Sequence, residues 1–164
     1  MSRLVTLVPW KLLDRARLVA EICYMAAGYS GTPLAQKLGI KPGSGVALIG
    51  APVNYRKLLG PAAKTVKFFD SASDAAEFVH LFVTKRSDLE RTIRHLRNKI
   101  ADTAAIWVSW PKKSAGVPTD VTEDVIRAVA LPLGFVDVKI CAVDKTWSGL
   151  KLMIRRELRK PATR

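Results

Sequence analysis

The feature that most constrains this chain lies near its end, where two apolar segments, residues 136–143 and 149–155, are joined only by residues 144–148. A parallel crossover needs a dozen or more residues, so a link this short permits only an antiparallel hairpin. The chain before it is organised differently. From Gly28 onward short helical and strand patterns alternate, the order that builds a covered parallel sheet. The strand expected over 77–84 carries apolar residues on both faces, as a central strand between two helical layers requires.

Local signals place the remaining elements. Strands are expected over 46–49, 65–69 and 104–110, and short helices over 33–38 and 54–59, ended by Gly39 and by Gly60-Pro61. Ser87-Asp88-Leu89-Glu90 reads as a capping box opening a helix whose Leu89, Ile93, Leu96 and Ile100 form one apolar stripe. A second capped helix is expected from Asp120-Val121-Thr122-Glu123, with Val121, Val125 and Val129 buried and Pro132 and Gly134 ending it. The expected architecture is α/β: a three-layer, Rossmann-like, mostly parallel sheet of about six strands with an antiparallel C-terminal hairpin.

Composition bounds the organisation. With 164 residues, about half of them apolar, the chain has the size of one domain with a real core. Its apolar runs are far shorter than the roughly 18 residues a membrane span needs. Cys23 and Cys141 are far apart and form no metal-ligand spacing, which fits a reducing, cytoplasmic setting and predicts no metal site. Residues 1–24 read as an extension, with an amphipathic helix over 10–24. Met25-Ala26-Ala27-Gly28-Tyr29 is an ordinary start, which sets the single domain at 25–156 and leaves 157–164 as a basic, flexible tail. An open sheet edge in so small a domain also admits a homodimer.

The net charge is +13, and the last 14 residues hold six bases against one acid. Arg155, Arg156, Arg159 and Lys160 are therefore candidates for phosphate contacts with nucleic acid. No aromatic residue is interleaved there to stack on bases, so a solvated end is the competing reading.

Ligands of open α/β sheets sit beyond the carboxyl ends of the strands. Four loops qualify, and they supply Gly50, Ala51 and Asn54; Asp70; Lys85, Arg86 and Ser87; and Ser109, Trp110, Lys112 and Lys113. The cations and the helix start near Ser87 suit a small anionic ligand. Trp147, in the hairpin turn, is either a lid over this crevice or a packing plug. Trp107 is expected in the core, and His80 and His95 are expected to be structural. Ser109 and Ser148 lack a Gly-x-Ser-x-Gly setting, so no catalytic residue is assigned.

Two resemblances follow. Gly39-Ile40-Lys41-Pro42-Gly43 before the strand at 46–49, Asp70 after the next strand and the reversed final hairpin resemble the S-adenosylmethionine-dependent methyltransferase fold in truncated form. That resemblance implies Asp70 on the cofactor ribose and the Gly50 loop against the cofactor. The glycine signature is incomplete, however, with one glycine followed by Pro52, which lacks an amide donor. The segments 27–34, 37–43, 107–112 and 145–152 resemble the bacterial domain of unknown function 3052 family, which implies the same fold and a bacterial origin. The expectation drawn is a non-catalytic module for a small ligand or a protein partner, with no established cofactor. The alternatives are a divergent S-adenosylmethionine-dependent methyltransferase and a nucleic-acid-associated protein.

Overall fold

The computed structural model describes residues 31–73 and 75–160. Six strands form one sheet: β1 (Gly45–Ile49), β2 (Lys67–Phe69), β3 (Phe78–Phe82), β4 (Ala105–Pro111), β5 (Phe135–Ala142) and β6 (Trp147–Ile154). Their spatial order is β2-β1-β3-β4-β6-β5. The first four run parallel, and β6 is antiparallel to both of its neighbours. The expected hairpin is therefore present, and its second strand inserts between β4 and β5.

Helices cover both faces. The alternation of β3 decides which residues meet which layer. Val79 and Leu81 face α3 (Arg86–Arg97) and α4 (Glu123–Ala130), whose Leu89, Ile93, Leu96, Ile126 and Ala130 are fully buried against them. Phe78 and Phe82 face α1 (Leu34–Leu38) and α2 (Tyr55–Leu59), packed with Leu38, Tyr55, Leu59 and Trp107. Trp107 is a core residue as expected, and its indole N–H donates to Leu38 O at 3.0 Å, tying α1 to the sheet.

Several boundaries differ from the sequence expectation, each for a local reason. The second strand is shorter because residues 60–64 form a 3-10 turn closed by Thr65 N–H donating to Ala62 O at 3.1 Å. β4 keeps the expected length but is shifted by one residue, since Pro111 pairs with Trp147, which places Trp147 in a strand rather than in the turn. In α4 the buried line is Ile126 and Ala130; Val125 and Val129 flank it, and Val121 precedes the helix. The extension at 1–24 with its helix over 10–24, the alternative start at Met25, Asp74 and residues 161–164 lie outside the described residues.

Candidate functional site

Strand order reverses at β1, whose neighbours are β2 on one side and β3 on the other. At such a switch point the loops leaving the strands diverge to opposite faces and open a crevice at the carboxyl ends. Gly50 leaves β1 with φ +66°, and a Cβ there would lie 2.7 Å from Phe82 O at the end of β3. Only glycine fits so close to the neighbouring strand in that conformation. The next residues, Ala51 and Pro52, are half-buried, and Pro52 O accepts from Tyr55 N–H at 2.9 Å, so the loop turns directly into α2. Asn54 is exposed and makes no side-chain cap.

Asp70 stands exposed immediately after β2. Because Ala47 of β1 pairs with Phe69, Asp70 emerges beside the end of β1. Among the described residues its carboxylate has neither an ion pair nor a hydrogen bond. Gly50 and Asp70 are thus brought together at adjacent strand ends.

The cationic rim is built differently from the sequence expectation. Lys85, not Ser87, is the N-cap residue of α3, and its side chain makes no cap. The Arg86 amide donates instead to the Asp120 carboxylate at 2.6 Å, while the Arg86 guanidinium pairs with Glu90 at 2.7 Å. The anion seat at this helix start is therefore filled by the chain's own Asp120, held in place by Thr119 Oγ1 donating to Thr84 O at 2.8 Å. Lys85 and Ser87 are exposed. A hollow of about 420 Å³ bordered by Ser87, Arg91, Arg94 and His95 runs along the outer face of α3 rather than between the loops.

At the other flank Lys112 Nζ donates to Asp144 O at 2.7 Å, and the Lys112 amide donates to Thr146 O at 2.7 Å, fastening the end of β4 to the hairpin turn. Partial burial, and then the nearby Lys37, push the Lys112 ammonium below its ordinary value. Lys113 is exposed in a single 3-10 turn. Trp147 is half-buried and meets Phe82 edge-on with centroids 5.1 Å apart, which makes it a packing residue at the wall of the crevice. Trp110 packs, half-buried, on the α3 and α4 side.

Ser109 does not face the crevice. It is fully buried on the face shared with Trp107, with Oγ 2.7 Å from His80 Nε2, and His80 Nδ1 lies 2.7 Å from Tyr55 Oη. This three-membered relay joins α2, β3 and β4. A neutral imidazole donates at one nitrogen and accepts at the other, so the relay satisfies every buried polar atom in it. Burial drives the His80 pKa down to about 3 and raises that of Tyr55, which keeps both groups neutral. With no solvent access, the relay is a pin rather than a catalytic dyad. Sequence reasoning kept His80 structural but missed the relay. The available signal was a histidine in the all-apolar run Phe78 to Phe82; its partners come from elements 25 and 29 residues away.

No family model and no curated protein matches the chain. Solved structures do. A S-adenosylmethionine-dependent methyltransferase from Aquifex aeolicus superposes with a TM-score of 0.58 at 13% identity, covering 85% of this chain and 98% of the other. A protein described as a type 11 methyltransferase from Sulfolobus solfataricus gives 0.53 at 14% identity, with 80% and 92% covered. The fold is methyltransferase-like. The N,N-8-amino-8-demethyl-D-riboflavin dimethyltransferase of Streptomyces davawensis gives 0.53 at 11% identity over 87% of this chain, which spans 57% of that larger protein. The methyltransferase-like sheet agrees with the expected truncated form. Among the described residues no helix is long and apolar enough to cross a membrane.

Proposed function

We propose that the chain binds S-adenosylmethionine at the carboxyl ends of β1 and β2 and transfers its methyl group. The observation that carries this reading is the juxtaposition of Gly50 and Asp70 on adjacent parallel strands of a methyltransferase-like sheet. The donor set fits the nucleoside part of the cofactor. An exposed carboxylate without a partner among the described residues is suited to accept from two ribose hydroxyls, and the exposed Gly50 at positive φ puts no side chain beside it. Pro52 contributes no amide, so this chain holds the ligand with fewer backbone donors than a fuller glycine turn offers. When bound, the cofactor supplies an electrophilic methyl group on a sulfonium. The chain's own part is positional: Asp70 orients the ribose, and the loop at 50–54, stapled by Tyr55 to the sheet, fixes the wall beside it.

The methyltransferase-like neighbours support this reading over the non-catalytic module expected from the incomplete glycine motif. Titration calorimetry with S-adenosylmethionine tests it. We expect binding by the unaltered chain, and a loss of about ten- to a hundredfold in affinity for Asp70→Asn, the equivalent of about 1.5–3 kcal/mol for hydrogen bonds to a charged acceptor. No binding by the unaltered chain dismisses the reading.

A further inference from the structure

The charge of this protein is sorted in space, and the sorting identifies an interaction surface that the strand-end site does not use. All six ion pairs among the described residues lie on the α3, α4 and β5 side, where Arg86, Arg91, Arg97 and Arg127 meet Asp and Glu partners. Among the described residues the opposite edge carries no ion pair. From residue 22 to residue 69 the sequence contains no Asp or Glu. Lys41, Arg56, Lys57, Lys64 and Lys67 are all exposed in that stretch, and none of them has an ion pair among the described residues.

The fold brings these five to one edge of the sheet, with Arg56 on the Phe68 face of β2 and Lys67 on its Phe69 face. β2 is the edge strand of the sheet, and Lys67 opens it. The turn bearing Lys41 is knitted to the segment bearing Lys64 and Lys67 by Gly43 N–H donating to Thr65 O at 2.8 Å and Lys67 N–H donating to Ser44 O at 3.0 Å. α2 packs over the same edge, with the Arg56 guanidinium 4.6 Å from the centre of the Phe68 ring. That cation–π contact holds the charge at the surface in one place without neutralising it. By contrast, the expected basic tail is partly spent on the fold. Arg155 Nε and Arg159 Nε donate to Phe135 O and Ile154 O at 3.3 and 2.9 Å.

We propose that the lobe formed by α2, the 60–64 turn and the β2 edge docks the phosphate backbone of a nucleic acid. Clustered, uncompensated Lys and Arg gain affinity from a polyphosphate by releasing its counterions. A bilayer is a poorer match, since of the large exposed hydrophobic residues among those described only Val53 belongs to this lobe, too little for an apolar wedge. Among the described residues of this lobe no exposed aromatic side chain is offered for base stacking, because Phe68 lies under Arg56, so the contact proposed is to backbone and indifferent to sequence. This inference does not depend on methyl transfer.

The test is fluorescence anisotropy with short labelled duplexes of DNA and of RNA, and with phosphatidylserine vesicles as a third probe. If the five cations each neutralise one phosphate, log affinity falls against log salt with a slope of about −4.5, a loss of roughly five hundredfold between 50 and 200 mM. The variant R56E/K57E/K64E is expected to lose at least tenfold in affinity, flattening the slope to about −2. The neutral variant K57Q/K64Q/K67Q, which leaves Arg56 on Phe68, should weaken binding to a smaller extent. K57Q/K64Q/K67Q should keep the unaltered melting curve, and R56E/K57E/K64E, which loses the contact with Phe68, should still unfold in one cooperative transition. Binding to either duplex with these losses supports the proposal, while the choice of DNA or RNA identifies the polymer. No duplex binding, vesicle binding alone, or loss on R56E/K57E/K64E no greater than on the tail variant R156Q/K160Q overturns it.

Discussion

At the scale of single residues, the buried relay decides how the loop after β1 is held. Tyr55 is the first residue of α2, so its bond to His80 pins the loop that begins at Gly50 to the centre of the sheet. Tyr55→Phe leaves His80 Nδ1 buried without a partner, and the expected destabilisation is about 1–3 kcal/mol in urea unfolding. The same histidine imposes a pH window. Its folded pKa of about 3 lies below the ordinary value of 6.5, so below pH 6.5 the unfolded chain takes up a proton that the folded chain refuses. Stability is therefore complete above that value and falls as the pH drops towards 3, by about 1.4 kcal/mol per pH unit from this group. Replacing His80 with Asn should remove that part of the acid slope; an unchanged slope would show that the histidine is charged in the folded state. The sequence disclosed the residue but not the relay, because burial of a strand position is a local pattern and its hydrogen-bond partners are not.

At the scale of elements, the same division holds between local and distant chemistry. The stripe was legible because helical spacing alone puts Leu89, Ile93 and Leu96 on one face of α3, and Ile100, expected on the same face, lies just past the helix end and is buried with them. The cap of α3 was not. Ser87 and Glu90 have the residue types and spacing of a capping box, yet Glu90 pairs with Arg86 and the N-terminal amide is taken by Asp120, 34 residues on. A local motif loses here because a carboxylate delivered by the following loop also complements the helix dipole. Thr122, rather than Asp120, then caps α4, accepting from Val125 N–H at 3.3 Å. The two accounts of α3 separate by mutation. Asp120→Ala should cost about 1 kcal/mol, lowering the melting temperature by about 2–4 °C, whereas Ser87→Ala should stay within about 0.5 kcal/mol. The reverse ranking in a thermal melt would restore the capping box.

At the scale of the whole molecule, the short link at 144–148 established a hairpin but left its insertion open. Nothing in residues 136–155 says which of the two strands lies against β4, since that choice is made by long-range packing. The structure gives the place to β6, which pairs through seven register positions with β4 and through seven with β5. Gly149 explains part of the preference, because a Cβ there would sit 3.1–3.4 Å from Val143, Trp107 and Ser109, and the bare backbone leaves room for the indole and the relay serine. Leu150, Leu152 and Ile154 of β6 are fully buried, and at about 1.5–3 kcal/mol each their burial is comparable with the whole stability of about 5–15 kcal/mol of an ordinary domain. The last described strand in chain order is thus an interior strand, flanked by β4 and β5. A chain ending at Thr146 should show no cooperative unfolding transition by circular dichroism, and supplying residues 147–160 as a separate peptide should restore one. A cooperative transition in the shortened chain alone would mean that β1 to β4 with their helices form a self-sufficient core, and that the hairpin is an addition to it.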